Sequence, residues 1–223
     1  MNNMEKNINF KKVRKIEMSI STTKAKNLID ELKNKEISLG RDPKTWYTYE
    51  NHVYGTAQIA KLIASEIKTM NADRIYIMAL LHDICRTEED RVQRFHGILG
   101  YEKFIDQDID VARTCLLHTF PWNKLPPYDQ CSELFYDNKN DYQFIENFIQ
   151  NNKPTDEDYL IQLCDNLANK DGFVTLEERA AEYSTRHPNE DLTPILIDSN
   201  EVKKYFESKI GHDIYDFFKS SDF

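Results

Sequence analysis

Ala79-Leu80-Leu81-His82-Asp83-Ile84 ends an apolar run, and the stretch behind it, Cys85-Arg86-Thr87-Glu88-Glu89-Asp90, turns strongly polar. The run predicts a helix over about 72–84 with Ile75, Met78, Ala79 and His82 on one face. Neighbours on a regular helix diverge by about 100°, so His82 and Asp83 can address one point together only from a helix end. The polar switch at Cys85 places them at such an end.

Outward from this pair the chain reads as a succession of helices. Upstream, Val53, Ala57, Ala60, Ala64 and Ile67 recur at threes and fours over about 45–68, with His52 near the start. Before that, Ser21-Thr22-Thr23 is suited to cap a helix over about 22–36 carrying Ala25, Leu28, Ile29 and Leu32. Downstream, helices are expected at about 91–105 with His96, Leu99 and Phe104, and at about 108–118 with Val111, Thr114, Cys115 and His118. A further stripe over about 155–170 aligns Ile161, Cys164, Asp165 and Ala168, with Asp171-Gly172 as its stop. Helices at about 141–151 and 174–185, a polar loop containing Pro188 and Pro194, and closing helices from Glu201 to Lys219 complete an all-α chain. Between Thr119 and Asn140 periodicity lapses, and three prolines lie among Phe120, Trp122, Tyr128, Phe135 and Tyr136, the composition of a long aromatic loop.

A chain of 223 residues suits one domain, with a core at about 45–180, an arm and helix at 1–44 and a helical extension at 181–223. Its net charge of -9 disfavours a general nucleic-acid surface, because phosphate-backbone affinity needs clustered Lys and Arg. Cys85, Cys115, Cys131 and Cys164 lack zinc-ribbon or redox spacing and read as reduced thiols. The charged start, with Lys11, Lys12, Arg14 and Lys15 as a solvated basic arm, has no apolar segment behind it, so no membrane span and a cytoplasmic location are expected. His187 and His212 fall outside the apolar stripes and are expected at the surface.

His82, His118 and Asp165 lie on the inward stripes of three separate helices. An unpartnered ionised carboxylate there is costly by several kcal/mol. A cation lets neutral imidazoles and ionised carboxylates stay buried together, so their convergence points to metal. The order His52, His82-Asp83, Asp165 resembles the metal-binding signature of the HD-domain superfamily over about residues 45–180, most nearly the bacterial HD-type dinucleoside polyphosphate hydrolases.

The resemblance implies an HD-domain helical bundle in which His52, His82, Asp83 and Asp165 hold a first divalent transition metal and Asp83 bridges to a second. His96 and His118 match the pair that holds the second ion in two-metal members, on the order of those histidines alone. Iron or manganese is the expected metal, with nickel, cobalt, zinc and magnesium as alternatives. The stretch Asn166-Leu167-Ala168-Asn169-Lys170-Asp171-Gly172 departs from the likeness and leaves the substrate open.

The expected activity is a phosphohydrolase in which a metal-activated water attacks a nucleotide or other small phosphorylated metabolite. Asp83, Arg86 and Lys170 are the residues assigned to catalysis, Arg86 being the first choice for neutralising phosphate, with Arg91 and Arg94 as further cations. Phe120, Trp122 or Tyr128 would stack a nucleobase or else anchor their loop. Two rivals stand: a mixed-valent di-iron oxygenase of the same superfamily, which uses the same ligand order, and a non-catalytic nucleotide-binding protein. A homo-oligomer remains open.

Overall fold

A computed structural model describes residues 19–186 and 193–219. The basic arm at 11–15, His187 and Pro188 lie outside them. The first helices are α1 (Thr22–Ser38), α2 (Pro43–Ser65), α3 (Ala72–Leu81), α4 (Glu89–Val92), α5 (His96–Phe104) and α6 (Ile109–Leu117). They are followed by α7 (Tyr128–Cys131), α8 (Lys139–Asn151), α9 (Asp156–Asn166), α10 (Leu176–Arg186), α11 (Thr193–Ile210) and α12 (Asp216–Lys219). The one sheet among the described residues is a hairpin of β1 (Ala168–Asn169) and β2 (Gly172–Phe173). The all-α expectation holds. No described helix is long and apolar enough to cross a membrane.

Side-chain caps set the helix starts. Ser21, Asp42, Asn71 and Asp108 each accept a backbone N–H of the first turn, and Thr155 and Asp158 form a reciprocal capping box at α9. Asp108 is also a three-way tie: buried, it accepts Ile20 N–H at 2.8 Å and pairs with Arg74 of α3. These contacts pull burial-averse charges inward only where every oxygen has a donor.

The core sits among α2, α3, α6 and α9, with α2 packed along α3 and reaching α9 and the hairpin. The α5–α6 pair approaches closely because it is built on glycine. A Cβ on Gly100 would lie 2.6 Å from the Cys115 Cβ, and one on Gly97 would lie 2.8 Å from the Cys115 carbonyl oxygen. That approach carries His96 and His118 to the same place.

Three expectations need correction. The helix expected over about 155–170 ends at Asn166, and Gly172, at φ +114, serves the hairpin turn rather than a helix stop. Asn169 Oδ1 accepts Asp171 N–H at 2.8 Å, a local bond that competes with helix continuation. Pro194, expected in a loop, lies in the first turn of α11, where its missing N–H costs nothing.

The third concerns residues 119–140, which contain two short 3-10 turns at Pro121–Asn123 and Ser132–Phe135 and the helix α7. Phe120 and Phe135 are buried against Phe95. Each contributes roughly 1.5–3 kcal/mol by that burial, which anchors the segment and takes Phe120 away from any ligand. Trp122 packs on Tyr159 and Tyr205, and Tyr128 packs on Tyr142 while donating to the Asp137 carbonyl.

Candidate metal centre

His82 and Asp83 stand where α3 ends: Leu81 is its last residue and His82 its C-cap, after which the chain turns through residues 82–88. Side chains of neighbouring helices add a second hydrogen bond to carbonyls that already accept a backbone N–H of this turn. The Cys115 thiol donates to the Leu81 carbonyl at 3.3 Å and the Tyr49 hydroxyl to the Asp83 carbonyl at 3.3 Å.

Asp83 reaches both ways. Its Oδ1 lies 3.1 Å from His96 Nε2 and 3.2 Å from His118 Nε2, while its Oδ2 faces His82 Nε2 at 3.8 Å and His52 Nε2 at 4.0 Å. Asp165, in the last turn of α9, puts Oδ1 3.0 Å from His52 Nε2 and 3.5 Å from His82 Nε2. The six residues singled out in the sequence as ligands therefore meet in one place. His52, His82 and Asp165 offer donor atoms within 4.8 Å of one another, and so do His82, Asp83 and His118.

All four imidazoles are held by Nδ1. His52 donates to the Ala168 carbonyl at 3.1 Å, His82 to the Ala79 carbonyl at 2.6 Å and His118 to the Cys115 carbonyl at 2.9 Å. Carbonyl oxygens only accept, so Nδ1 carries the hydrogen and Nε2 presents its lone pair to the centre. The first of these acceptors lies on the hairpin, at the start of β1. His96 differs: its Nδ1 donates to the buried carboxylate of Glu89 at 2.6 Å.

Lone pairs alone cannot share this space. His96 Nε2 and His118 Nε2 lie 3.1 Å apart with Asp83 Oδ1 beside both, so three acceptors face one another. His82 Nε2 is buried without a hydrogen-bond partner among the described residues. Such a set needs protons or a cation. Without metal, burial lowers the proton affinity of His82, but the Asp83 and Asp165 carboxylates outweigh it and push its pKa up to about 9. His96 is raised by the same competition, whereas burial prevails at His118 and lowers it. Burial would raise both aspartates, but the surrounding imidazoles hold Asp83 and Asp165 well below the ordinary carboxylate range. Imidazole and carboxylate donors suit iron, manganese, zinc, nickel or cobalt better than a thiolate-seeking ion.

The cations divide. Arg86 pairs with Glu89 and its Nη1 lies 3.3 Å from His96 Nδ1, at the edge of the centre. Both of those nitrogens carry hydrogen when Nδ1 donates to Glu89, so that contact is proximity and not a bond. Arg91 is committed to the buried Glu36, and Arg94 to Asp141 and Glu102, which corrects their assignment to phosphate. Lys170 lies on the exposed hairpin turn and pairs with Asp171 at 2.6 Å. His212 pairs with Glu66 at 2.9 Å, part-exposed as expected.

Sequence reasoning missed Glu89, visible only as one acid in a polar run, and Thr119, whose hydroxyl lies 3.1 Å from His118 Nε2. It also missed a cavity of about 150 Å³ that Asp165 and Thr119 share with Arg179 and Tyr183 of α10. The signal was present in the spacing of Leu176, Arg179, Ala180 and Tyr183, which puts all four on one helical face.

No curated protein and no solved structure matches this chain. The family model described as HD domain matches residues 49–170, more than half of the chain and the whole span from His52 to Asp165. HD domains are generally metal-dependent phosphohydrolases and bind divalent metals. On that match, and with the histidines and aspartates of the signature gathered at one centre, the chain belongs to the HD domain family.

Proposed function

We propose that the chain is a metal-dependent phosphohydrolase acting on a nucleotide or other small phosphorylated metabolite, with His52, His82, Asp83, His96, His118 and Asp165 holding two divalent ions. The reading is carried by the convergence of four Nε2 lone pairs on two carboxylates, with every Nδ1 fixed from behind. When bound, divalent cations supply Lewis acidity that makes water a nucleophile near neutral pH and offsets charge on phosphoryl oxygens.

The protein's own groups do the rest. Asp83, with Oδ1 toward His96 and His118 and Oδ2 toward His52 and His82, fixes the spacing of the two halves. The backbone carbonyls of Ala79, Cys115 and Ala168 orient three imidazoles, and acceptors of this kind behind a ligand raise its basicity. Arg86 is the cation best placed to meet an anionic substrate. Lys170 would assist only by leaving Asp171. The chain reads as one HD-type unit, supported by α11 packing back on α9 and on the turn at Pro121–Asn123.

The test is anaerobic turnover. Protein loaded with manganese or ferrous iron should release phosphate or nucleoside monophosphate at the same rate with and without oxygen. Arg86→Ala should lower that rate roughly 10²-fold, the scale on which one preorganised charge contact acts, without releasing metal. Oxygen uptake on an organic substrate, with no hydrolysis of any phosphate ester or anhydride, would replace this reading with the di-iron oxygenase.

A further inference from the structure

The cavity beside Asp165 has a lining that metal binding does not explain, and much of it comes from α10 and α11, beyond the matched segment that ends at residue 170. At about 150 Å³ it is smaller than the roughly 300 Å³ at which sites for drug-sized ligands begin, so it has room for one small ring system. Leu176, Ala180 and Leu196 make its walls aliphatic. Its cation, Arg179, already pairs with Glu182 at 3.0 Å. A polyphosphate tail would lose its hydration there against hydrocarbon, and a sugar would bury hydroxyls that lack partners.

Two polar groups give the cavity an edge. Ser199 is 2% exposed, lines the cavity, and its Oγ has no hydrogen-bond partner among the described residues. A buried hydroxyl without a partner is destabilising, so its presence points to a partner that enters from the cavity. Asn166, also on the lining, uses its amide N–H on the Gln162 carbonyl at 3.1 Å, which leaves Oδ1 as an acceptor. Aliphatic faces with a donor–acceptor edge match a flat heteroaromatic ring.

We propose that this cavity binds the nucleobase-sized ring of a phosphorylated substrate, its faces against Ala180 and Leu196 and its edge on Ser199 and Asn166, with the phosphoryl end directed past Asp165. The assignment rests on the hydrolase reading for the phosphate, but its test does not require turnover. The full chain, loaded with manganese, is titrated in a calorimeter with the four common nucleoside 5′-monophosphates and with ribose 5-phosphate. At least one nucleotide should bind tenfold or more tightly than the ribose phosphate. Ala180→Trp and Leu196→Trp should abolish that preference while metal content and ribose 5-phosphate affinity stay unchanged.

Equal affinities for all five probes in the unaltered protein would overturn the assignment, as would a preference that survives both tryptophans. Should circular dichroism show that both tryptophan variants unfold, Ser199→Ala decides: it must weaken the nucleotide severalfold and leave the ribose phosphate alone. A ring preference without hydrolysis of any ester or anhydride would refute the hydrolase and leave the cavity assignment standing.

Discussion

His52, His82 and Asp165 face Asp83, His96 and His118 across a few ångströms, yet the two trios are held by different means. The first is hung on the main chain. His52 projects from the 23-residue α2 onto a hairpin carbonyl, and His82 turns back on the helix it caps. In the second, His118 is also held by a carbonyl, that of Cys115, but His96 depends on a side chain and the pair on a tight helix contact. His96 opens the 9-residue α5 and leans on Glu89, which Arg86 also engages, and its distance from His118 is set by Gly97 and Gly100 against Cys115. Main-chain orienters cannot be mutated away. The carboxylate that orients His96 can, so the second trio is the adjustable half of the centre.

The largest effect should come from the residue that belongs to both halves. Asp83→Ala removes the oxygens facing all four imidazoles and should strip metal from both sites and abolish hydrolysis, with helical content retained. Elemental analysis that found full metal occupancy in this variant would remove Asp83 from its central place. The joint change of His96 and His118 to Ala should take only the second ion, lowering the count from two towards one per chain. An unchanged count would reduce that pair to buried histidines without a ligand role.

The same contrast decides what could be read from the chain alone. His82-Asp83 was legible because an apolar run stopped at a polar one, and Asp165 because a carboxylate sat on an apolar stripe. Helix existence followed from periodicity and caps. The hairpin at Ala168–Phe173 was not legible, because Ala168 continues the helical stripe while the local bond to Asn169, the positive φ of Gly172 and the Val174 N–H on the Leu167 carbonyl divert the chain. Arg91 and Arg94 looked equivalent to Arg86 in the sequence. The commitment of Arg91 to Glu36 and of Arg94 to Asp141 is set by contacts 55 and 47 residues along the chain, which spacing does not encode.

Glu89→Gln tests whether the orienter matters in one half only. The amide keeps the shape but loses the charge that raises the basicity of His96, and changes of this kind cost about 10–100-fold in metal affinity. Titration should show that loss at one ion per chain and an unshifted second ion. Equal weakening of both ions would mean that the halves are not independent, and no weakening would make Glu89 a simple anchor for Arg86.

The smallest effect is a slope with pH, measured as the melting temperature of the metal-free protein. His82 is raised from 6.5 in the unfolded chain to about 9 in the fold, so its contribution is complete below pH 6.5 and is lost as pH rises through about 9. His96, raised as well, adds a loss in the same direction above 6.5. Asp83 and Asp165 are depressed below 3.8, so theirs is present above that value and disappears only in acid. His118, lowered, works against stability only below 6.5 and leaves the alkaline side untouched. The metal-free melting temperature should therefore fall between pH 6.5 and 9. Metal must displace the His82 proton to bind, so manganese should raise the melting temperature more at pH 9 than at 6.5. A flat metal-free profile over that range would mean that His82 carries no proton there, and that the first trio is neutralised from elsewhere.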